Sequence, residues 1–174
     1  MCMKNLNMNI VFCDIVSNPD NSSISLGGIG KVFSFVVENN VKKISQLPMV
    51  IFVSATQSKN PEIIDKLNPN TDFIFSNQYE VKVRLTETIS GDFQDLGEFE
   101  IDPSKSYDAN GLCKSTFNYT QLCLFSDVVL HNIEKSKQRY VIKLLIRQKN
   151  RNKTTDDRWI VQTIHPLQLC QSDI

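Results

Sequence analysis

The sequence predicts an all-β fold, a two-layer antiparallel β-sandwich of about eight strands with one short helix or loop insertion. Residues 79–85 alternate apolar and polar side chains, and residues 117–124 do so less strictly. This period of two places one apolar face on a core and one polar face in water. Turn signals rich in Asn, Asp, Gly and Pro separate such segments along the chain. A chain of 174 residues is long enough for a single large core, so we expect one domain over residues 1–174.

Three strands are predicted in the first part of the chain. The first covers residues 9–16 and ends at a turn over residues 18–21. The second covers residues 23–37 and is interrupted by glycines, which suggest a bulge or a close backbone approach. The third covers residues 49–56 and is introduced by Pro48. Residues 61–67 start at Pro61 and end before Pro69, a pattern that fits a short helix or an irregular loop.

The second part of the chain is more regular. Strands are predicted over residues 78–89, 97–101, 116–125, 139–148 and 158–169, with a turn at residues 90–92. Residues 128–133 fit either a strand or a helical turn. The last two strands are expected to form a hairpin across residues 149–157, a connection longer than most hairpin loops.

The apolar faces of these strands are expected to build the core. Trp159 is the only tryptophan, and we expect it to anchor the core because one indole buries a large area. The full set of predicted core residues is Val11, Ile51, Val53, Val83, Leu85, Leu122, Leu124, Ile142, Leu144, Ile146, Trp159 and Val161.

Composition excludes several classes of protein. Hydrophobic content of 41% and charged content of 22% are ordinary for a globular chain. A formal net charge of zero does not favour nucleic acid or an acidic substrate. No apolar run approaches the ~18 residues of a membrane span, and the first residues carry no apolar signal segment. The five cysteines are widely and irregularly spaced, which indicates reduced thiols. We therefore expect a cytoplasmic protein with no membrane contact.

Three apolar segments and their connections resemble a family. Residues 10–14 end in Cys13-Asp14 before a polar turn, residues 24–29 follow a Leu-x-Gly-apolar pattern, and residues 47–53 contain Pro48. Near the end, Tyr140 precedes an apolar strand and a closing apolar strand follows. This arrangement resembles a group of bacterial β-sandwich domains of unknown function. The resemblance implies a small sandwich without known catalytic residues. Residues 57–77 and 149–157 fit it poorly.

A glycine cluster at residues 27–31 is the nearest match to a phosphate-binding loop. A P-loop needs a further Gly where Ser25 stands, and Ser or Thr where Val32 stands. The dinucleotide fingerprint fails because Phe33 replaces its last Gly. No strand-then-helix pattern surrounds either motif. A strand relaxed by glycines is the favoured interpretation, and no cofactor is predicted.

Catalytic and metal-binding patterns are weak. His131 would have to meet Cys113 or Cys123 in space to make a nucleophile–base pair. His165 precedes Pro166 in a terminal strand, which favours an ordinary surface or half-buried histidine. No Cys-x-x-Cys or His-x-x-x-His spacing for zinc occurs. Neighbouring acids could serve glycoside hydrolysis, but a solvated face is the favoured interpretation of them. Loop acids could bind calcium, but no EF-hand-like spacing supports such a site. The neighbouring acids are Glu98, Glu100, Asp156 and Asp157, and the loop acids are Asp92, Asp95 and Asp102.

Charge is distributed unevenly along the chain. Residues 77–102 contain seven acids and two bases, whereas residues 131–153 contain eight bases and one acid. Arg147, Lys149, Arg151 and Lys153 occupy alternate positions and would project from one side of an extended chain. We call these four residues the basic arm. They either lie on a water-exposed hairpin and prevent its edge strand from pairing with another chain, or contact an acidic partner such as nucleic acid or another copy of the chain.

The sequence therefore predicts a non-enzymatic protein-binding or assembly module, with the basic arm as its binding site and no metal. A protein partner or self-association is expected. One alternative is a nucleic-acid-binding accessory protein that uses the basic hairpin. Another is a hydrolase whose site is built from loop residues.

Overall fold

A computed structural model describes residues 6–17, 24–30, 32–39, 41–56, 78–103, 116–130, 139–149 and 158–171. These ranges form eleven strands and contain no α-helix. Two sheets pack against each other, which confirms the predicted all-β, two-layer sandwich. The strands are β1 Leu6–Phe12, β2 Asp14–Ser17, β3 Ile24–Gly27, β4 Phe33–Glu38, β5 Val41–Thr56, β6 Tyr79–Glu87, β7 Phe93–Ile101, β8 Thr116–Leu130, β9 Tyr140–Gln148, β10 Ile160–Leu167 and β11 Leu169–Gln171.

The first layer is a five-stranded sheet organised around β5. On one side, β5 pairs antiparallel with β8 from Lys42↔Leu130 to Thr56↔Thr116. On the other side, β4 pairs with residues 41–43 and β1 with residues 49–55. β11 adds to β4 in parallel, which departs from the antiparallel pairing predicted for the whole fold. The two ends of the long β5 thus serve different neighbours.

The second layer is a four-stranded antiparallel sheet of order β10-β9-β6-β7. The β9–β10 pairing confirms the predicted hairpin. The turn between β6 and β7 confirms the signal at residues 90–92. The Glu87 amide donates to the Asp92 carbonyl at 2.8 Å, and Gly91 has a φ of +77°. A side chain at Gly91 would strain this turn, since positive φ favours glycine.

A short hairpin of β2 and β3 leaves the end of β1 and contacts β5. It interrupts the strand predicted over residues 9–16, which breaks at Cys13. The glycines predicted to interrupt the second strand do so, because Gly28 and Gly30 form a turn with φ of +59° and +81°. A Cβ at Gly28 would lie 2.9 Å from Oδ2 of Asp14. The glycine therefore allows this turn to approach the start of β2.

The core lies between the two sheets and confirms seven of the predicted residues. The inward positions of β1 and β5 face those of β6 and β9 in one hydrophobic cluster. Every second residue of β6 points inward, from Tyr79 to Leu85, as its alternation predicts. The confirmed residues are Ile51, Val53, Val83, Leu85, Ile142, Leu144 and Ile146, each at most 3% exposed.

The other predicted core residues lie elsewhere. The prediction is wrong for Leu122, Leu124 and Val161, which are exposed. Val11 and Trp159 are only half-buried. The error has one physical cause, since β8 and β10 carry apolar residues on both faces and alternation cannot tell which face turns inward.

Several boundaries also differ from the prediction. β5 begins at Val41, so Pro48 lies inside the strand and does not introduce it. Pro48 falls between the segments that pair with β4 and β1, where its missing N–H removes no bond to either strand. β7 begins at Phe93, and β8 continues to Leu130 and so makes residues 128–130 strand. The helix or loop predicted at residues 61–67 lies outside the described residues.

Candidate functional site

The acidic and basic segments of the sequence meet in the four-stranded sheet. β6 lies between acidic β7 and basic β9 and points Glu80, Lys82 and Arg84 outward. Glu80 is directly opposite Arg147 on β9 and Glu100 on β7. The strand order therefore places Arg147 beside Glu80, where a cross-strand ion pair stabilises the sheet, and places the like charges of Glu80 and Glu100 opposite each other.

The basic arm is partly engaged within the chain. Nε of Arg147 donates to Oε2 of Glu80, and Nζ of Lys149 donates to Oε1 of Glu100. Arg151 and Lys153 lie outside the described residues. The structure thus joins two of the four predicted binding residues to acids of the same molecule, and the arm as a site stays a prediction.

A second group of charges continues across the sheet. Nζ of Lys82 lies 3.1 Å from Oδ2 of Asp95 and 2.9 Å from Oε1 of Glu98. Arg84 binds Asp95 through two nitrogens, Nε to Oδ1 at 2.5 Å and Nη2 to Oδ2 at 3.1 Å. The hydrogen bond from Arg84 holds the pKa of Asp95 below its usual range. The hydrogen bond to Glu98, followed by that to Asp95, raises the pKa of Lys82. Both shifts keep Asp95 and Lys82 ionised near neutral pH.

Aromatic rings complete this surface. Nζ of Lys82 and the guanidinium carbon of Arg147 each lie 4.5 Å from the centroid of the Trp159 ring. The guanidinium carbon of Arg84 lies 3.9 Å from the centroid of the Phe93 ring. Trp159 thus contacts cations as well as neighbouring apolar atoms, an arrangement that cation–π attraction favours. The outer face of the four-stranded sheet is therefore charged, and its acids Glu80, Asp95, Glu98 and Glu100 are paired with bases of the same sheet.

The outer face of the five-stranded sheet is apolar instead. Phe52, Leu122 and Leu124 are 38%, 37% and 59% exposed, and we call these three residues the apolar patch. Leu122 is opposite Val50 and Leu124 is opposite Pro48, both buried residues of β5. Phe52 lies one pair further along β5, opposite Thr120. Phe52 is therefore a diagonal neighbour of Leu122 across the paired strands β5 and β8.

β8 forms an edge of the sandwich in the part of the chain that the structure describes. Its only strand partner there is β5. Its contacts with β7 in the other layer run through side chains. The rings of Phe99 and Tyr119 stack with centroids 6.0 Å apart, and Cε1 of Phe125 lies 3.0 Å from the position of a Cβ at Gly97. Gly97 allows this ring to close the space between the layers.

The opposite side of the sandwich is joined by side-chain hydrogen bonds. Nε2 of Gln162 donates to the Leu6 carbonyl at 2.5 Å. The amide of Ile10 donates to Nε2 of His165 at 3.4 Å. Burial lowers the pKa of the half-buried His165. β10 of one layer thus satisfies backbone groups of β1 in the other, and His165 has a structural contact.

Neither Cys13 nor Cys123 offers an activated nucleophile. Burial raises the pKa of Cys123 to about 11. Burial, followed by the charge of Asp14, raises the pKa of Cys13. A thiolate is the nucleophilic form, and these surroundings disfavour it. Cys113 and His131, the other candidates for a Cys-His pair, lie outside the described residues.

The acids considered for catalysis or calcium also have other contacts. Glu98 and Glu100 pair with Lys82 and Lys149. In the described ranges, no group of three or more His, Cys, Asp or Glu residues is placed to hold a metal ion. A cavity of about 10 Å³, lined partly by Glu87, Asp92 and Tyr140, has room for little more than a water molecule. Asp156 and Asp157 lie outside the described residues.

Comparisons with known proteins give no relative to which this chain can be assigned. No protein-family model, curated protein or solved structure matches it. The resemblance to bacterial β-sandwich domains therefore stays a prediction. Among the described residues, no helix has the length and apolarity to cross a membrane.

The apolar patch is the feature that sequence reasoning missed. Alternation predicts Leu122 and Leu124 in the core and does not single out Phe52. The available signal was the uncharged segment at residues 116–126, which carries apolar side chains on both faces. A strand with two apolar faces can bury only one of them against its own core, unless another layer covers the second.

Proposed function

We propose that this chain is a non-enzymatic protein-binding or assembly module that contacts its partner through the apolar patch. The observation that carries the proposal is the adjacent exposure of Phe52, Leu122 and Leu124 on two paired strands. Contiguous exposed apolar side chains on a sandwich face mark interaction surfaces more often than single exposed residues do. Free Cys13, Cys123 and Cys170 support the cytoplasmic location that we include in this proposal.

The surroundings of the apolar patch support a protein partner. Exposed polar residues of β1 and β8 border it, namely Asn7, Asn9, Asn118, Thr120 and Ser126. An apolar centre with a polar rim is the usual composition of a protein–protein interface. No described side chain of β8 from 117 to 126 is charged, which favours a neutral partner surface over a phosphate backbone.

The other predicted functions receive less support. Nucleic-acid binding through the basic arm would require free cations, and Arg147 and Lys149 are hydrogen-bonded to Glu80 and Glu100. A hydrolase using Cys123 would need a thiolate that burial disfavours. The basic arm is retained as a second contact surface, through Arg151 and Lys153.

The test compares two double variants of matched chemistry in a pull-down from a lysate of the source cells. Leu122→Lys with Leu124→Lys places charges in the apolar patch. Val161→Lys with Ile164→Lys places them on β10, at side chains 42% and 54% exposed. We expect the first variant to lose a partner that the wild type and the second variant retain. Equal recovery by all three would contradict the proposal, provided that melting curves show all three to be folded.

A further inference from the structure

We propose that the partner of the apolar patch is a second copy of this chain, and that the two copies join by antiparallel pairing of their β8 strands. This inference rests on the proposed function and specifies its partner. The dimer would extend the five-stranded sheet of each copy into one continuous sheet across a two-fold axis. Three features of β8 support a dimer: its backbone edge, its lack of charge, and a two-fold register in which its two exposed leucines meet.

The backbone edge of β8 suits another β-strand as its binding partner. β8 runs from Thr116 to Leu130 and, among the described strands, pairs only with β5. The side of β8 away from β5 therefore presents N–H and C=O groups with the spacing of a strand. Long strand edges of this kind are templates for pairing with another strand.

Charge favours a copy of the same strand over an unrelated one. Proteins that keep an edge free commonly place Lys, other charged residues or Pro on it. The eleven residues from 116 to 126 contain none of these. A neutral edge is complementary to another neutral edge, and a second copy supplies one in the same geometry. Self-association by this route needs no change of sequence or conformation.

The neighbouring acids do not prevent such an approach. β7 lies beside β8 in the other layer and carries Asp95, Glu98 and Glu100. Each of these acids is already paired within its own chain, Asp95 with Arg84 and Lys82, Glu98 with Lys82, and Glu100 with Lys149. Two copies brought together at β8 would therefore meet with compensated charges, so like-charge repulsion between their β7 strands is reduced.

The symmetry of the strand gives the pairing its register. With the two-fold axis at Cys123, Leu122 of one copy is opposite Leu124 of the other, and the converse pair follows. Both leucines point to the outer face, so four leucines form one cluster with Phe52 of each copy at its side. About this axis, residues 120–126 of each copy pair with one another, and these seven residue pairs provide about six to eight backbone hydrogen bonds, within the range of about 5–15 found in protein interfaces.

The other long edge of the five-stranded sheet is less suited to this role. The side of β1 away from β5 is approached by β10, and Gln162 and His165 already hydrogen-bond to its backbone. On the four-stranded sheet, edge strand β7 carries three acids. A second copy therefore gains more on β8 than on either of these two edges.

The test is the molar mass in solution, measured by sedimentation velocity from micromolar to several hundred micromolar protein. We expect wild type to form a dimer whose Kd rises at least about a hundredfold in Leu122→Lys with Leu124→Lys, because four lysines would meet at the axis. The β10 control, Val161→Lys with Ile164→Lys, should dimerise like wild type. Amide hydrogen exchange of wild type should show β8 protection that increases with protein concentration, whereas the β1 amides should not change.

The outcomes separate this inference from the proposed function. A wild-type chain that remains monomeric at all concentrations overturns the inference, and if the lysate pull-down still recovers a patch-dependent partner, the proposed function stands. A dimer that survives the β8 variant, or weakens equally in the β10 control, also overturns it. A monomer with no patch-dependent partner overturns both.

Discussion

At the scale of single residues, His165 links the two layers through one ring nitrogen. Nε2 accepts the Ile10 amide at 3.4 Å, so the neutral tautomer with an unprotonated Nε2 is the one that fits. Protonation of Nε2 would place its N–H opposite the N–H of Ile10. It would also place a positive charge on a half-buried ring. Both effects oppose the charged form, although burial is the cause of the lowered pKa.

The first prediction is a loss of stability on acidification that depends on His165. Its pKa is lower in the folded chain than in the unfolded chain, so the unfolded chain binds the proton more readily. The contribution to stability is present above the unfolded pKa and is lost as pH falls through the folded pKa. We expect His165→Gln to reduce the fall in melting temperature between about pH 7.5 and 5.5. His131→Asn, at the only other histidine, is the control and should leave the slope intact.

The second prediction concerns Glu87, a buried carboxylate that organises the β6–β7 turn. It is 2% exposed and accepts the amides of Ser90 and Ile89, the latter at 2.9 Å. The Ser90 bond is the largest cause of its lowered pKa. Glu87→Gln should melt below wild type at neutral pH, and the gap should narrow as pH falls through the folded pKa of Glu87. Glu38→Gln, at an exposed acid, should show no such gap; a gap that persists in acid would contradict the role of the charge.

The third prediction distinguishes leucines on the two faces of the sandwich. Leu144 is fully buried, whereas Leu124 is 59% exposed. Leu144→Ala should lower the free energy of unfolding by about 2–5 kcal/mol, because it leaves a cavity. Leu124→Ala should change it by about 0.5 kcal/mol or less. Denaturant titration of dilute protein measures both, and comparable losses would show that Leu124 is covered.

At the scale of strands, alternation predicted β6 and its buried side chains but not the orientation of β8. β6 has charged residues at every outward position from Glu80 to Arg84, so only one face can be buried. β8 has aromatic residues on one face and Leu122 and Leu124 on the other, and pairing with β5 decides which face is inside. That choice depends on a strand more than sixty residues away in sequence, and no local pattern contains it.

The candidate site shows the same limit. The sequence locates the acids and the bases, but the order β9-β6-β7 is what brings Arg147 to Glu80 and Lys149 to Glu100. Trp159 is large and apolar, which favours a core position, yet it lies between Lys82 and Arg147. Such contacts between strands distant in sequence follow from topology rather than periodicity.

The fourth prediction divides the basic arm into two pairs. Arg147→Ser with Lys149→Ser removes ion pairs to Glu80 and Glu100 and should lower stability modestly, by about 0–1 kcal/mol per pair. Arg151→Ser with Lys153→Ser should leave the melting temperature unchanged and weaken binding to any acidic partner, with a flatter salt dependence. Melting curves and a pull-down at two salt concentrations measure both effects. If wild type and both variants recover the same partners equally, the basic arm is a solvated hairpin and does not bind a partner.

At the scale of the whole molecule, the two sheets differ in how charge is distributed. Strand order pairs acids and bases of the four-stranded sheet with one another, and the five-stranded sheet leaves the uncharged apolar patch exposed. Partner selection is then expected to depend on shape and apolar contact rather than long-range electrostatic steering.

The last prediction is that packing and not disulfide bonding maintains this molecule. Cys13 and Cys123 are buried free thiols, and Cys170 is exposed. Burial raises the pKa of Cys123 to about 11. An alkylating reagent at neutral pH should therefore react slowly with Cys123, because the sulfur is inaccessible and protonated. Reducing agent should leave the melting temperature nearly unchanged. Mass spectrometry of peptides after alkylation should show modified Cys170 in the native protein, and modified Cys123 only after unfolding. A fall of many degrees on reduction would reveal a structural disulfide, and rapid native labelling of Cys123 would show that the space between the layers opens.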